Sequence, residues 1–170
     1  MDAIQTSRLI LTTWEPDDWK FAHALASDAE VVRYIGDGQP WSEDGAREFV
    51  TNQIAYFVAW GFCFWKLLLL PDKQAIGFCG IQPLLGTTDF EIGWWLTPAH
   101  WGKGLATEAA RACLDDAFTR AGLRRVVALG MAENTRSLRV MKKLGMMFER
   151  NTTHKGLPVV LYATHNSAVL

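Results

Sequence analysis

Two glycines one residue apart, Gly102 and Gly104, enclose Lys103 and stand just before a helix-like run from Ala106 to Ala121. A strand-like apolar run, Phe90 to Leu96, precedes them. Glycine bends the backbone tightly and puts no Cβ in the way of a ligand. The free N–H groups of a helix start, with the helix dipole behind them, make an anion site. Gly102, Lys103, Gly104, Leu105, Ala106 and Thr107 therefore offer main-chain binding of a phosphate. A second chemistry sits on the preceding strand. Alternation puts Phe90, Ile92, Trp94 and Leu96 on one face, and Glu91, Gly93, Trp95 and Thr97 on the other. A carboxylate beside Trp95 and the bare Gly93 has room for a ligand. Partial burial raises such a group toward neutrality, which suits a general base. From the residues alone, a Glu on a wet strand face, or one that orients an ammonium, fits equally well.

Three phosphate ligands compete for the glycine loop. A P-loop needs two Gly separated by four residues and then Lys and Ser/Thr; here Lys103 lies between the glycines. A dinucleotide fingerprint needs a third small residue, where this chain has Thr107, and a tight strand-to-helix turn. Five residues separate Leu96 from Gly102 instead. The third ligand is the pyrophosphate of an acyl-coenzyme A. Its loop reads Arg or Gln, two residues, Gly, one residue, then Gly or Ala. Gly104 and Ala106 fill the last two places, and Trp101 stands in the first.

The elements that must carry these groups follow from periodicity. Leu9 to Thr13 reads as a strand, Glu15 to Ser27 as a helix, and Asp28 to Tyr34 as a second helical piece. Asp37-Gly38-Gln39-Pro40 is a turn. Ser42 caps a helix with apolar Ala46, Phe49, Val50, Ile54, Phe57 and Val58. Phe62 to Leu70 and Ala75 to Leu85 flank the hairpin turn Pro71-Asp72-Lys73-Gln74. Asp89 to Thr97 is the strand that bears Glu91. Arg124 to Met131 suits a buried parallel strand. Thr135 to Leu144 is a helix ending at Gly145. Met146 to Arg150 and Pro158 to Thr164 are the last strands. The prediction is an α/β (α+β) domain over residues 1–170, with one mixed, mostly antiparallel sheet of six to seven strands and helices on both faces.

Three segments in this order resemble the GNAT acetyltransferase superfamily. They are Glu91-Ile92-Gly93-Trp94-Trp95-Leu96, then Trp101 to Glu108, then Asn134-Thr135-Arg136-Ser137 with Lys143-Leu144-Gly145-Met146. Thr6-Ser7-Arg8-Leu9-Ile10-Leu11 is similar to the RimJ/RimL branch of ribosomal-protein N-terminal acetyltransferases. The resemblance spans essentially the whole chain. It implies acetyl-CoA as cofactor, and strands Asp89 to Thr97 and Arg124 to Met131 splayed around its pantetheine arm. Backbone N–H groups of Trp95, Leu96 and Thr97 then serve the arm and the oxygen that gains charge. Asn134 and Ser137 border the cofactor, and Ser137, three residues after Asn134, protonates the leaving thiolate, unless water does. Two positions depart from the family pattern. Trp101 replaces an Arg or Gln, and Met141, seven residues after Asn134, replaces a Tyr that donates a proton in many relatives.

Acetyl transfer to an amine sets the remaining requirements. A free α-amine has a pKa of roughly 7.7–8, so it must lose a proton before it attacks. Glu91 is the candidate base. Entry of the acceptor is expected around Gly36 to Trp41, Trp65 and Trp95, with Asp37 and Glu43 available to attract a cation. The function expected is an N-acetyltransferase acting on a protein N-terminal amine or a small amine. A non-catalytic acyl-CoA-binding module and a nicotinamide-dependent Rossmann enzyme are the alternatives.

Bulk properties narrow the partners. The 170 residues carry a formal charge of −1, which argues against DNA or RNA as a polyanion partner. Arg124, Arg125, Arg136, Arg139, Lys142 and Lys143 nonetheless cluster, either as a solvated face or as a lure for an anionic cofactor. Cys63, Cys79 and Cys113 sit singly in apolar runs, as reduced thiols of a cytoplasmic protein do. No Cys/His spacing fits a metal. His23, His100, His154 and His165 are scattered and read as structural. Phe62 to Leu70 contains Lys66 and is too short to span a bilayer. A monomer and a homodimer are both compatible with the sequence.

Overall fold

A computed structural model describes residues 3–166, so both ends of the expected domain lie outside the described residues. Eight strands form one sheet: β1 (Ala3–Gln5), β2 (Leu9–Thr12), β3 (Phe64–Leu69), β4 (Gln74–Pro83), β5 (Phe90–Leu96), β6 (Arg125–Gly130), β7 (Met147–His154) and β8 (Leu157–His165). Their order is β1-β2-β3-β4-β5-β6-β8-β7. Every neighbouring pair is antiparallel except β5 and β6. The helices are α1 (Trp19–Ala26), α2 (Ala29–Val32), α3 (Glu43–Trp60), α4 (Leu105–Thr119) and α5 (Thr135–Lys143). They cover both faces of the sheet.

Two differences from the sequence reading have physical causes. The eighth strand is β1, a three-residue edge segment that pairs Ala3 with Thr12 and is too short to show a period. The hairpin of β7 and β8 runs further than expected, because its two-residue turn is Lys155-Gly156, with φ of 50° and 78°. That is the primed geometry that suits a tight hairpin. Asn151, Thr152 and Thr153 sit on the edge strand, so no apolar alternation marks them.

The core divides by strand parity. Gln82, Gly80 and Phe78 of β4 stand opposite Glu91, Gly93 and Trp95 of β5. This row faces α3, where Phe49 meets Phe78 with ring centroids 4.8 Å apart. Ser42 caps α3 by accepting from the Gly45 N–H at 3.1 Å, and Gly61 ends it in the left-handed region at φ 74°. The opposite face packs on α4 through the small side chains Ala109, Ala110, Cys113 and Ala117, which let helix and sheet approach closely. Cys63, Cys79 and Cys113 are all unpaired and buried. Burial pushes the Cys63 thiol up to about 12. Among the described residues, no helix is long and apolar enough to cross a membrane.

Candidate active site

The parallel strands β5 and β6 pair in register only at Glu91 and Val127. Past that pair they part, and two cavities of about 670 and 640 Å³ adjoin the rift. Trp94, Trp95, Asn134 and Ser137 line both. Three of the segments quoted from the sequence thus converge on one opening.

The first cavity contains Glu91. Asp37, Trp41, Glu48, His154 and Lys155 also line it. Burial pushes the Glu91 carboxyl above the usual carboxylate range, and this outweighs the opposing pull of the Gln82 hydrogen bond, His154 and Lys155. The Gln82 amide nitrogen donates to Glu91 Oε1 at 2.7 Å. Trp95 stacks on Phe78 with centroids 5.1 Å apart and meets Trp41 at 4.9 Å, which fixes an aromatic wall. The expected entry is only partly as placed. Gly36, Asp37 and Trp41 line the cavity. Trp65 does not, because it is 2% exposed and packed in the core. Glu43 pairs with Arg47 at 3.8 Å, one turn along α3.

The second cavity contains Gly102, Gly104, Leu105, Ala106 and Thr107. Gly102 has φ 73° and Gly104 φ 78°. A left-handed backbone costs a side-chain-bearing residue roughly 1–2 kcal/mol. A Cβ on Gly102 would meet nothing within 4 Å, so conformation rather than crowding asks for glycine there. Gly104 is the N-cap residue of α4 and has no side chain with which to cap it. The first-turn residues of this 15-residue helix line the cavity, and among the described residues no side chain caps their amides. Lys103 is not among the wall residues, but its carbonyl accepts from Arg8 Nη1 at 2.9 Å.

That contact belongs to a brace. Glu108 in the first turn of α4 accepts from the Thr6 hydroxyl at 2.6 Å, the Ser7 hydroxyl at 3.0 Å, the Arg8 N–H at 2.9 Å and Arg8 Nε at 2.7 Å. Burial pushes Glu108 up, but these hydrogen bonds outweigh it and hold the carboxyl below its usual range. The opening Thr6-Ser7-Arg8 thus clamps the start of the helix. Trp101, in the place of the family's Arg or Gln, turns back on the sheet. Its indole N–H donates to the Leu96 carbonyl at 2.8 Å, and the Arg136 guanidinium lies 4.7 Å from its ring centroid.

The basic cluster splits. Arg136, Arg139 and Lys143 line the second cavity, joined by Arg33. Arg125 is instead paired with Asp89 at 3.0 Å and Glu149 at 2.7 Å. Arg124 and Lys142 line neither cavity.

Strand hydrogen bonding sorts the proposed amide donors. The Thr97 N–H donates to the Ile76 carbonyl at 2.8 Å, and Thr97 lines neither cavity. Its amide is therefore engaged in the sheet. In an antiparallel ladder the direction alternates. The Trp95 N–H accordingly points to Phe78, and those of Trp94 and Leu96 turn toward the rift. The Trp94 amide is not among the donors expected from the sequence, although the parity of its strand contains it. Asn134 Oδ1 accepts from the Ser137 N–H at 3.2 Å and caps α5. Ser137 itself lines both cavities. Met141 is 1% exposed, so it belongs to the core. Two histidines set aside in the sequence come to the site. His154 lines the first cavity and His100 the second, where Thr97 Oγ1 lies 2.7 Å from His100 Nδ1. Only a long-range strand pairing brings His154 there, and no local pattern announces it.

Comparison with known proteins agrees with this geometry. Residues 8–147 match the family model of the acetyltransferase (GNAT) domain. The uncharacterized N-acetyltransferase YnaD of Bacillus subtilis is 36% identical over 146 residues, covering 86% of this chain and 83% of YnaD. A GNAT-family acetyltransferase from Bacillus anthracis superposes with a TM-score of 0.82 at 30% identity, covering 96% of this chain and 98% of its own. RimL, a ribosomal L7/L12 alpha-N-protein acetyltransferase solved in complex with coenzyme A, shares the fold with a TM-score of 0.78 at 20% identity, covering 98% and 99%. The splayed parallel pair, the uncapped glycine-led helix and the matching domain together make this chain a member of the GNAT acetyltransferase family.

Proposed function

We propose that this protein transfers an acetyl group from acetyl-CoA to a primary amine, with both substrates bound at once. The observation that carries the reading is the rift beyond Glu91 and Val127, whose two adjoining cavities hold a candidate base in one and an uncapped helix start in the other. When bound, acetyl-CoA supplies an acetyl group activated as a thioester. The amides of Gly102, Gly104, Leu105, Ala106 and Thr107 would hold its diphosphate, with Arg136, Arg139 and Lys143 adding positive charge. The Trp94 and Leu96 N–H groups supply donors along the rift, including for the oxygen on which charge develops. Glu91 takes a proton from the acceptor ammonium, for which a raised carboxyl is better matched than an ordinary one. Ser137 lines both cavities, and its hydroxyl, or water in its place, would supply the proton for the departing sulfur. The acceptor amine comes from the side of Asp37, Trp41 and Glu48, on a small molecule or a peptide N-terminus.

The test is release of free coenzyme A thiol from acetyl-CoA across a panel of N-terminal peptides, polyamines and aminoglycosides. Thiol release with at least one amine class, together with calorimetric binding of coenzyme A, supports the reading. Binding without turnover on any amine would leave only an acyl-CoA-binding module.

A further inference from the structure

Gln53 lies in the buried stripe of α3, in line with Ala46 and Val50. It is 2% exposed, the one buried polar side chain among the described residues. A buried amide is costly unless both of its ends are paired. Both are. Gln53 Oε1 accepts from the Phe64 N–H at 2.8 Å, and Gln53 Nε2 donates to Gln82 Oε1 at 3.0 Å. Gln82 Nε2 then donates to Glu91 Oε1 at 2.7 Å. A chain of amides thus runs from a main-chain N–H to the carboxylate in the first cavity.

The direction of this chain is fixed. The oxygen and nitrogen of a glutamine amide have nearly the same shape, so two glutamines by themselves could face either way. Here the first link is a backbone N–H, which can only donate. It demands an oxygen from Gln53. That turns the Gln53 nitrogen to Gln82, sets the Gln82 oxygen against it, and aims the Gln82 nitrogen at Glu91. Glu91 Oε1 therefore always faces an N–H, and a proton on that oxygen would confront another donor. Phe64, the origin of the chain, also packs on the strand that bears Glu91: a Cβ on Gly93 would lie 3.0 Å from Phe64 Cζ.

We infer that Gln53 and Gln82 are positioning residues that reserve Oε1 of Glu91 as an acceptor and leave Oε2 as the oxygen that receives the proton of the acceptor amine. The inference rests on Glu91 being the base. In that step an N–H bond of the ammonium breaks, an O–H bond forms at Oε2, and the electron pair stays on nitrogen for the attack. The amide chain also opposes the effect of burial, since the Gln82 N–H favours the charged carboxylate. The other charged groups facing this cavity are His154 and Lys155 of the β7–β8 hairpin, Asp37 before α3, and Glu48 on α3.

The experiment is a 13C NMR titration of the Glu91 carboxyl in the free protein, set beside the pH profile of kcat/KM. Wild type, Gln82→Met and Gln53→Met are compared. Methionine keeps the length and apolar body of glutamine but cannot donate. In Gln82→Met the Glu91 midpoint moves up, and the acid limb of kcat/KM moves with it. On that limb the rate drops about tenfold, the scale of one hydrogen bond to a charged group. Gln53→Met frees the Gln82 amide to turn over and shifts both readouts the same way, by less. Gln82 is only half-buried, so Gln82→Met decides alone if Gln53→Met fails to fold. An unmoved Glu91 midpoint in Gln82→Met overturns the inference, because a purely structural glutamine would change stability and not this titration. Full turnover in Glu91→Gln overturns the assignment of Glu91 as base. The NMR midpoint needs no turnover, so the two failures are separately visible.

Discussion

The two cavities beside the rift solve opposite problems. Around Glu91 the chemistry belongs to side chains, and the polar groups behind it are paired in series, down to Phe64. Around Gly102 and Gly104 the proposed binding belongs to the main chain, and among the described residues no side chain caps the start of α4. The first region, on the proposed reading, holds one proton acceptor in one orientation. The second, on the proposed reading, offers a set of helix-start amides to an anion. Side-chain identity should therefore govern rate in the first, and backbone conformation should govern affinity in the second.

Substitutions in the two regions should separate along these lines. Glu91→Gln has the largest expected effect. It should lower kcat/KM by about 10²–10⁴, the usual range for a general base, and leave coenzyme A affinity by calorimetry unchanged. A comparable loss of affinity would break the division between the cavities. Gly104→Val comes next. A β-branched residue at φ 78° is strained, and the amides it carries should shift. Coenzyme A binding should weaken by roughly tenfold, corresponding to about 1–2 kcal/mol of left-handed strain, while the acid limb of the pH profile stays in place.

The pH profile sharpens the contrast without mutation. The role proposed for Glu91 requires it deprotonated, so kcat/KM should fall as pH falls through its folded pKa. Burial has raised that value, and the acid limb should therefore lie above the ordinary glutamate range of about 4.3. A limb at or below that range would remove Glu91 from the mechanism. Ser137→Ala is expected to cost only several-fold in kcat, since water can protonate the sulfur in its place. A loss beyond about a hundredfold would make the hydroxyl indispensable.

Glu108→Gln has the smallest effect and acts on stability. Hydrogen bonds from Thr6, Ser7 and Arg8 lower the folded pKa of Glu108, against the upward push of burial. Its stabilisation is present above the unfolded value of about 4.3 and is lost as pH falls through the folded one. Arg8 is 46% exposed, so screening limits the contribution to about 1 kcal/mol. Denaturant midpoints of wild type and Glu108→Gln should differ at pH 7 and converge in acid. A constant gap would mean that the Glu108 charge is not what the brace uses.

What the sequence disclosed follows the same division. A main-chain site is written in glycine spacing, so Gly102, Gly104 and the helix after them could be located before any folding was known. Strand alternation likewise grouped Glu91, Gly93 and Trp95 on one face. The parity that assigned those side chains also decides which amides leave the ladder, and there the reading of Thr97 missed its bond to Ile76. Side-chain partners across elements were out of reach. Gln53, 29 residues before Gln82, meets it only because α3 lies over β4. One local signal did exist: Gln53 occupies a place in the stripe of Ala46 and Val50 where an apolar residue is expected. His154 and Lys155 enter through a hairpin whose edge strand is polar throughout its middle. Trp65 read as an entry residue because tryptophan suits both pockets and cores, and only packing distinguishes them.

The burial of Cys63, Cys79 and Cys113 has a practical result at the bench. Thiols shielded from solvent do not react with colorimetric disulfide reagents. In the folded state the enzyme should therefore contribute almost no background colour, and each equivalent of dye would count one turnover. The same reagent added with denaturant should then develop three equivalents per chain, which makes it a ready gauge of unfolding.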